Sequence, residues 1–198
     1  MSERALTALR RGEAILLPTD TVYGIAALPF RAPPVERLYR LKCRPPGQAI
    51  ALLAGDVEML FELVPELDER ARALARALLP GQLTLVLPNP ARRFPWLTGG
   101  GDTIGVRVPE LPDAAAAVVS GAGAVAATSA NLSGGPDPAT LAEVPAELRD
   151  ACAAEIDVGR LPGTPSTVID LTGEHARVLR EGAVSSSEVD ERVRGALA

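Results

Sequence analysis

Hydroxyl, amide and carboxylate side chains follow two of the predicted strands, where they could bind a substrate. Thr19-Asp20-Thr21 comes directly after a short apolar run, and the loop from Ser129 to Gly135 holds two hydroxyls, one amide and two glycines. Such a loop after a strand can present backbone N–H groups to a phosphate. Both segments also fit ordinary turns, because Asp, Asn and Ser side chains often hydrogen-bond the backbone there. Their chemistry therefore depends on what the fold brings beside them.

Four cationic side chains are candidates to neutralise an anion. Lys42 is the only lysine among 20 basic residues, and it lies with Arg44 at the end of a predicted helix. A compact ammonium serves a site differently from a planar guanidinium, but chance explains a single lysine equally well, and cations are common at helix C-termini. Arg107 alternates with the apolar residues of its strand and Arg180 follows another strand, so each faces either solvent or a site.

Several common catalytic motifs are missing from the sequence. It has no Walker A motif, no HExxH, no nucleophile elbow and no cysteine pair at zinc-binding spacing. The run from Gly121 to Ala126 follows a helix and enters a strand, whereas a dinucleotide-binding loop requires the reverse order. Cys43 and Cys152 are predicted to be small buried residues, and His175 to face solvent in a turn. Covalent and zinc-dependent catalysis are therefore not expected.

Composition restricts the class of partner. The 198 residues are 47% hydrophobic but only 3% aromatic, and the net charge is −5. These values argue against a protein that stacks single-stranded nucleic acid or reads a duplex. Two cysteines cannot form a disulfide framework, the N-terminus lacks signal-peptide features, and no apolar run reaches the ~18 residues of a membrane span. We expect a cytoplasmic protein without membrane contact.

Strands and helices alternate along the whole chain. The periodicity predicts strands over 14–17, 50–53, 83–87, 103–108, 124–128, 166–171 and 176–179. It predicts helices around Leu6 and Leu9, from Pro33 to a stop at Pro45-Pro46-Gly47, over 56–63, 66–79, 112–120 and 139–153, and from about Ser187, with Asp190 in a capping box. With no linker between these elements, residues 1–198 are predicted to form one α/β domain with a mixed sheet.

Six short motifs in order resemble one known family. They are Pro18-Thr19-Asp20-Thr21-Val22-Tyr23-Gly24, Lys42-Cys43-Arg44-Pro45, Pro80-Gly81-Gln82-Leu83-Thr84, Gly105-Val106-Arg107-Val108-Pro109, Thr128-Ser129-Ala130-Asn131-Leu132-Ser133-Gly134 and Pro165-Ser166-Thr167-Val168-Ile169-Asp170. The series is similar to the YrdC-like threonylcarbamoyl-AMP synthases of the short, TsaC type, over residues 12–182.

The resemblance implies an activity and a fold. Members form L-threonylcarbamoyl-AMP and pyrophosphate from L-threonine, bicarbonate and ATP, with Mg²⁺ expected on the ATP phosphates. A separate protein complex then uses the adenylate to modify the adenosine next to the tRNA anticodon, and direct RNA binding by the synthase is expected to be weak at most. The family fold is a twisted, open α/β structure with a concave, positively lined cavity.

The resemblance also implies roles for residues. Those implied to hold threonine are Thr21, Arg107 and Ser166, and those implied to bind ATP are Lys42, Arg44, Thr103, Ser129, Asn131 and Arg180, of which Lys42 and Arg44 are the expected catalytic pair. Two departures leave contacts open. Ala49-Ile50-Ala51 stands where many members have Pro-Leu-Ile, with Leu52-Leu53 where a polar residue is often found, and Asp20 replaces the commoner Glu.

Two other functions remain as alternatives. One is an RNA-binding module using a basic concavity, which would require RNA affinity that falls steeply with salt. The other is a nucleotide-binding paralogue of the YciO type, with the same fold but without robust synthase activity. Specific binding of threonine would distinguish the synthase from the paralogue.

Overall fold

The computed structural model of the protein describes residues 2–44 and 48–197. Within these ranges, nine strands form one mixed sheet in the order β7-β1-β2-β6-β3-β5-β4-β8-β9. The strands are β1 (Ile15–Pro18), β2 (Tyr23–Ala27), β3 (Ala51–Leu53), β4 (Leu83–Pro88), β5 (Thr103–Arg107), β6 (Val125–Ser129), β7 (Ala154–Glu155), β8 (Thr167–Asp170) and β9 (Arg177–Arg180). The predicted stop at Pro45-Pro46-Gly47, and with it the last residue of the Lys42–Pro45 motif, lies outside the described residues.

Eight α-helices flank the sheet in the described ranges. They are α1 (Ser2–Arg10), α2 (Ala32–Leu41), α3 (Val57–Leu63), α4 (Glu69–Leu78), α5 (Pro95–Thr98), α6 (Asp113–Ala122), α7 (Ala146–Asp150) and α8 (Ser186–Leu197). Aspartates cap the N-termini of α3 and α4. Asp56 accepts a hydrogen bond from Met59 N at 2.7 Å and Asp68 accepts one from Ala71 N at 2.7 Å, which satisfies N–H groups that the helix itself leaves free.

The two faces of the sheet are covered unequally. Successive strand residues point to opposite faces, so Leu16 joins the core under α2, α3, α4 and α8, while Leu17 joins a smaller core under α1 and α6. Leu52 likewise lies in the first core, and its neighbour Leu53 in the second. α1 and α6 cover only part of their face of the sheet. The uncovered part, centred on β3 and β5, is where the candidate site lies.

The predicted fold class is confirmed: one open α/β sheet with flanking helices. The helix predicted over 139–153 is wrong, because the segment contains only a short 3₁₀ turn, Leu141–Glu143, and α7. Pro145 separates the two and has no N–H to continue a helix. The last helix is capped two residues earlier than predicted, since Ser185 Oγ accepts a hydrogen bond from Glu188 N at 3.3 Å.

Two strands were not predicted from the sequence. β2 is rich in Gly and Ala, which have low strand propensity, and it forms because it pairs antiparallel with both β1 and β6. β7 has only two residues, paired with β1 at the edge of the sheet. Long-range pairing therefore determines both elements.

Candidate active site

A cavity of about 280 Å³ opens on the uncovered part of the sheet. Small residues from neighbouring strands form its floor, among them Gly24, Ala51, Gly105 and Ala127. Gly24 brings β2 close to β6, because a Cβ at this position would lie 3.2 Å from Thr128 O, a tight contact that would push the backbone of β6 away. The low floor leaves room for a ligand against the sheet, with polar side chains at both ends.

One end of the cavity, which we call the loop end, consists of Lys42, Arg44, Ser129 and Asn131. Lys42 follows the last turn of α2 and is only 2% exposed. Its Nζ donates to Ser129 O and, at 2.7 Å, to Asn131 Oδ1. Burial, and then the charge of Arg44, lower the pKa of Lys42 to about 8, against the opposing effect of Asp137. The ammonium therefore lies behind the cavity wall, bonded to the Ser129 loop.

Arg44 is the cation of the loop end that lines the cavity itself. Its guanidinium donates to Thr128 Oγ1 at 3.2 Å and to the carbonyl oxygens of Gln48 at 3.3 Å and Ala49 at 2.8 Å. None of its described partners is a carboxylate, and burial lowers its pKa. Arg44 is thus held in place without a salt bridge to any described residue.

The loop after β6 is organised around one amide. Asn131 Oδ1 accepts from Ser129 Oγ at 2.7 Å as well as from Lys42. Its Nδ2 donates to Gly135 O at 2.5 Å and to Asp137 Oδ1 at 3.3 Å. The polar residues of this loop therefore hydrogen-bond within the loop, around Asn131. The resulting turn places Asp137 in the cavity wall.

The opposite end, which we call the strand end, consists of Thr21, Arg107 and Ser166 with their partners. Arg107 extends from β5 and donates through Nη2 to Asp20 Oδ1 and, at 2.8 Å, to Thr21 Oγ1. Asp20 Oδ2 also accepts from Glu110 N at 3.1 Å. Burial lowers the pKa of Arg107, and the charge of Asp20 opposes that effect. Arg107 is therefore a paired cation, with its Nε buried and without a described partner.

A pair of hydroxyls completes the strand end. Thr84 Oγ1 of β4 and Ser166 Oγ lie 2.8 Å apart, and both residues line the cavity. Arg180 Nη2 donates to Ser166 O at 2.8 Å. Thr84 was quoted in a motif but given no role from the sequence. The signal that could have found it is the alternation within β4, which places Thr84 on the face opposite the buried Leu83 and Leu85.

The structure brings most of the predicted site residues to this one cavity. Arg44, Arg107, Ser129, Ser166 and Arg180 line it. Three others, Thr21, Lys42 and Asn131, stand behind the lining and hydrogen-bond to it. Thr103 lies apart, exposed at the start of β5 and outside the lining. The roles of these residues remain predictions.

Outcomes for the other candidates are mixed. Cys43 was predicted to be buried; this is wrong, because it is exposed with a φ of 50° in the turn after α2. Cys152 is partly buried, which raises the pKa of its thiol to about 12. His175 is exposed as expected. No group of three metal-ligating side chains occurs among the described residues, and no helix in those ranges is long and apolar enough to cross a membrane.

Comparison with curated proteins gives close relatives. A threonylcarbamoyl-AMP synthase from Thiobacillus denitrificans is 41% identical over 175 residues, covering 85% of this chain and 90% of that protein. The chain spans about half the length of two longer curated synthases, 55% and 54%.

Solved structures share the fold. Pyrococcus abyssi Sua5 in complex with L-threonine superposes with a TM-score of 0.88 and 34% identity, covering 96% of this chain and 56% of that one. Escherichia coli YciO superposes with a TM-score of 0.84 and 28% identity, covering 95% of this chain and 92% of that one. Residues 7–182 match the Sua5/YciO/YrdC family, whose description reads Telomere recombination. The chain belongs to the Sua5/YciO/YrdC family.

Proposed function

We propose that the protein is a threonylcarbamoyl-AMP synthase, acting in the cytoplasm and passing its product to a separate tRNA-modifying complex. It would convert L-threonine, bicarbonate and ATP to L-threonylcarbamoyladenylate and pyrophosphate. The similarity to a synthase at 41% identity, and to a Sua5 structure named for its L-threonine complex, supports this proposal.

The observation that carries the proposal is one cavity with cations at both ends and a pair of hydroxyls at the strand end. The loop end has a guanidinium at Arg44 and an ammonium at Lys42, with the carboxylate of Asp137 beside them. The strand end has hydroxyls beside Arg107, whose charge Asp20 already balances. It also has Arg180, which donates to Ser166 O and has no described carboxylate partner. A polyanion such as ATP requires the first environment, and an amino acid with one carboxylate suits the second. The proposal therefore places the ATP phosphates at the loop end and threonine at the strand end.

At the strand end, Arg107 would bind the threonine carboxylate. Its Nη2 is already used by Asp20 and Thr21, so Nη1 and the buried Nε are the donors left for the substrate. The hydroxyls of Thr84 and Ser166 would bind the polar groups of the amino acid. Positioning of this kind lowers the barrier by removing the need to orient the reactants in solution.

The reaction joins two anions and needs no covalent nucleophile. The threonine amine, in its neutral form, adds to CO2 derived from bicarbonate and loses a proton, which gives a carbamate. A carbamate oxygen then attacks the α-phosphorus of ATP, and pyrophosphate leaves with the electrons of the broken P–O bond. Arg44 and Lys42 at the loop end would offset the charge that gathers on the phosphates. Magnesium bound to ATP would share this work, and it requires few protein ligands.

A YciO-type nucleotide-binding protein is the second candidate, because E. coli YciO matches over 92% of its own length. The two functions differ in the requirement for threonine. The test is pyrophosphate release from ATP by the purified protein with bicarbonate and Mg²⁺, with L-threonine, with L-serine and with neither. The synthase predicts release that depends on threonine and is much weaker with serine. ATP binding without any threonine-dependent release would favour the YciO-type function.

A further inference from the structure

Asp137 is the only carboxylate among the described residues that line the cavity, where three arginines also lie. The sequence motifs did not include it. Its Oδ1 accepts from Asn131 Nδ2 at 3.3 Å, and no other described residue donates to its carboxylate. A cavity that takes a polyanion gains nothing from a bare negative charge at its wall, because the two repel. The position therefore calls for a cation that arrives with the ligand.

The cations of the loop end do not neutralise Asp137 directly. Asn131 lies between Asp137 and Lys42, accepting from the ammonium on Oδ1 and donating to the carboxylate from Nδ2. Arg44 is bound instead to Thr128 and to backbone carbonyls. Asp137 thus stays close enough to raise the pKa of Lys42 through its charge, yet keeps its oxygens free of a salt bridge.

The backbone holds this carboxylate in place. Pro138 O accepts from Tyr23 N at 2.9 Å, which ties the residue after Asp137 to the start of β2. On the other side, Asn131 binds both Gly135 O and Asp137. A preorganised, half-buried carboxylate beside a phosphate-binding end matches the usual protein contact of Mg²⁺, which takes one or two carboxylates together with substrate phosphates and keeps several waters.

We propose that Asp137 contacts the Mg²⁺ carried by ATP and so makes the protein prefer the metal-bound nucleotide. The proposal rests on the ATP-dependent function above. The competing role is a hydrogen bond from a ribose hydroxyl to Asp137, as carboxylates make in other nucleotide sites. The two roles differ in metal dependence, because only the first disappears when the metal is removed.

The experiment is calorimetric titration of ATP into the full chain, without threonine or bicarbonate, in excess Mg²⁺ and in EDTA. The unsubstituted protein should bind Mg-ATP about tenfold more tightly than metal-free ATP, because the metal screens Asp137 from the phosphates. In Asp137→Asn, this ratio should fall to about one, and metal-free ATP should bind several-fold more tightly than it does to the unsubstituted protein, because the repulsion is gone.

Two further variants control for charge and shape. Asp137→Glu keeps the carboxylate and should retain most of the Mg²⁺ preference. Asp190→Asn removes the same charge from an exposed position on α8, which packs on the opposite face of the sheet, and should behave as the unsubstituted protein.

Other results would overturn the inference. An equal Mg²⁺ preference in the unsubstituted protein and in Asp137→Asn would exclude contact with the metal. Weaker binding of both ATP forms to Asp137→Asn, with loss of discrimination against 2′-deoxy-ATP, would assign Asp137 to the ribose. If the unsubstituted protein binds no ATP in either condition, the proposed function fails and this inference fails with it.

Discussion

Arg107 and Arg44 lie at opposite ends of the cavity and differ in their partners. At the strand end, Arg107 is paired with Asp20, and both side chains are 9% exposed. At the loop end, Arg44 binds only a hydroxyl and carbonyl oxygens among its described partners. A paired arginine keeps its directional donors but contributes little net charge, whereas an unpaired one contributes both. Arg107 is therefore suited to orient a substrate and Arg44 to attract an anion.

The largest expected effect is on stability, because replacing Arg107 should lower the free energy of unfolding far more than replacing Arg44. Arg107→Met would leave Asp20 buried without its ion partner, which should lower the free energy of unfolding by roughly 3–5 kcal/mol. Arg44→Met leaves no buried carboxylate behind and should cost less than about 1 kcal/mol. The double variant Asp20→Asn/Arg107→Met should recover much of the loss. Urea denaturation of the three variants measures this, and equal losses for the two single variants would contradict the comparison.

The next effect concerns catalysis at the loop end. Lys42→Met should reduce threonine-dependent pyrophosphate release by about 10²-fold, because a preorganised positive charge near the phosphates is lost. Circular dichroism should be unchanged. Arg40→Met, which removes an exposed cation from the last turn of α2, is the matched control and should keep full activity. Near-normal activity of Lys42→Met would remove Lys42 from the catalytic machinery.

Local patterns in the sequence identified candidate residues, the family resemblance implied a common cavity, and neither showed which side chains pair within it. The alternation of Arg107 with Ile104, Val106 and Val108 correctly placed this arginine on the face opposite the core. No local pattern could show that Asp20, 87 positions earlier, neutralises it. The position of Lys42 was equally hidden, because helix periodicity places it at a helix end but not behind the Ser129 loop.

The same limit explains the missed elements and residues. Pro145 inside the predicted helix over 139–153 was a local signal that should have ended it. β2, in contrast, depends on partners at both sides of the sheet. Thr84 belongs to the site through its contact with Ser166, 82 positions later in the sequence. Element types are thus readable from periodicity, whereas side-chain partners at a strand end depend on topology.

A smaller effect is expected on threonine binding at the strand end. Thr84→Val keeps the shape but leaves Ser166 Oγ without its partner 2.8 Å away, so the KM for threonine should rise by about five- to tenfold, the cost of one hydrogen bond. The KM for ATP and kcat should not change, because Thr84 positions Ser166 and does not reach the phosphates. Thr84→Ser restores the hydroxyl and should restore the KM. A parallel rise in both KM values would instead indicate general loosening of the site.

The smallest expected effect is on the pH dependence of stability, which reports whether water reaches the Lys42 ammonium. Because the folded protein lowers the pKa of Lys42 from 10.5 to about 8, the unfolded chain holds more protons between these values, and the free energy of unfolding should rise with pH in that window. The gain between pH 8 and 9 should be about 1 kcal/mol for the unsubstituted protein relative to Lys42→Met.

The pH range matters because Cys152 acts in the opposite direction. Its thiol pKa is raised from 9.0 to about 12 in the folded state, so above pH 9 the unfolded chain loses that proton first and stability falls. Both proteins contain Cys152, so its effect cancels when their urea titrations are compared at about pH 8.0, 8.5 and 9.0, and the difference reports the lysine. Parallel stability profiles would mean that water reaches the Lys42 ammonium. Lys42 would then keep its full charge across this range, and water would screen its attraction for an anion, so Arg44 would be the better placed of the two cations of the loop end.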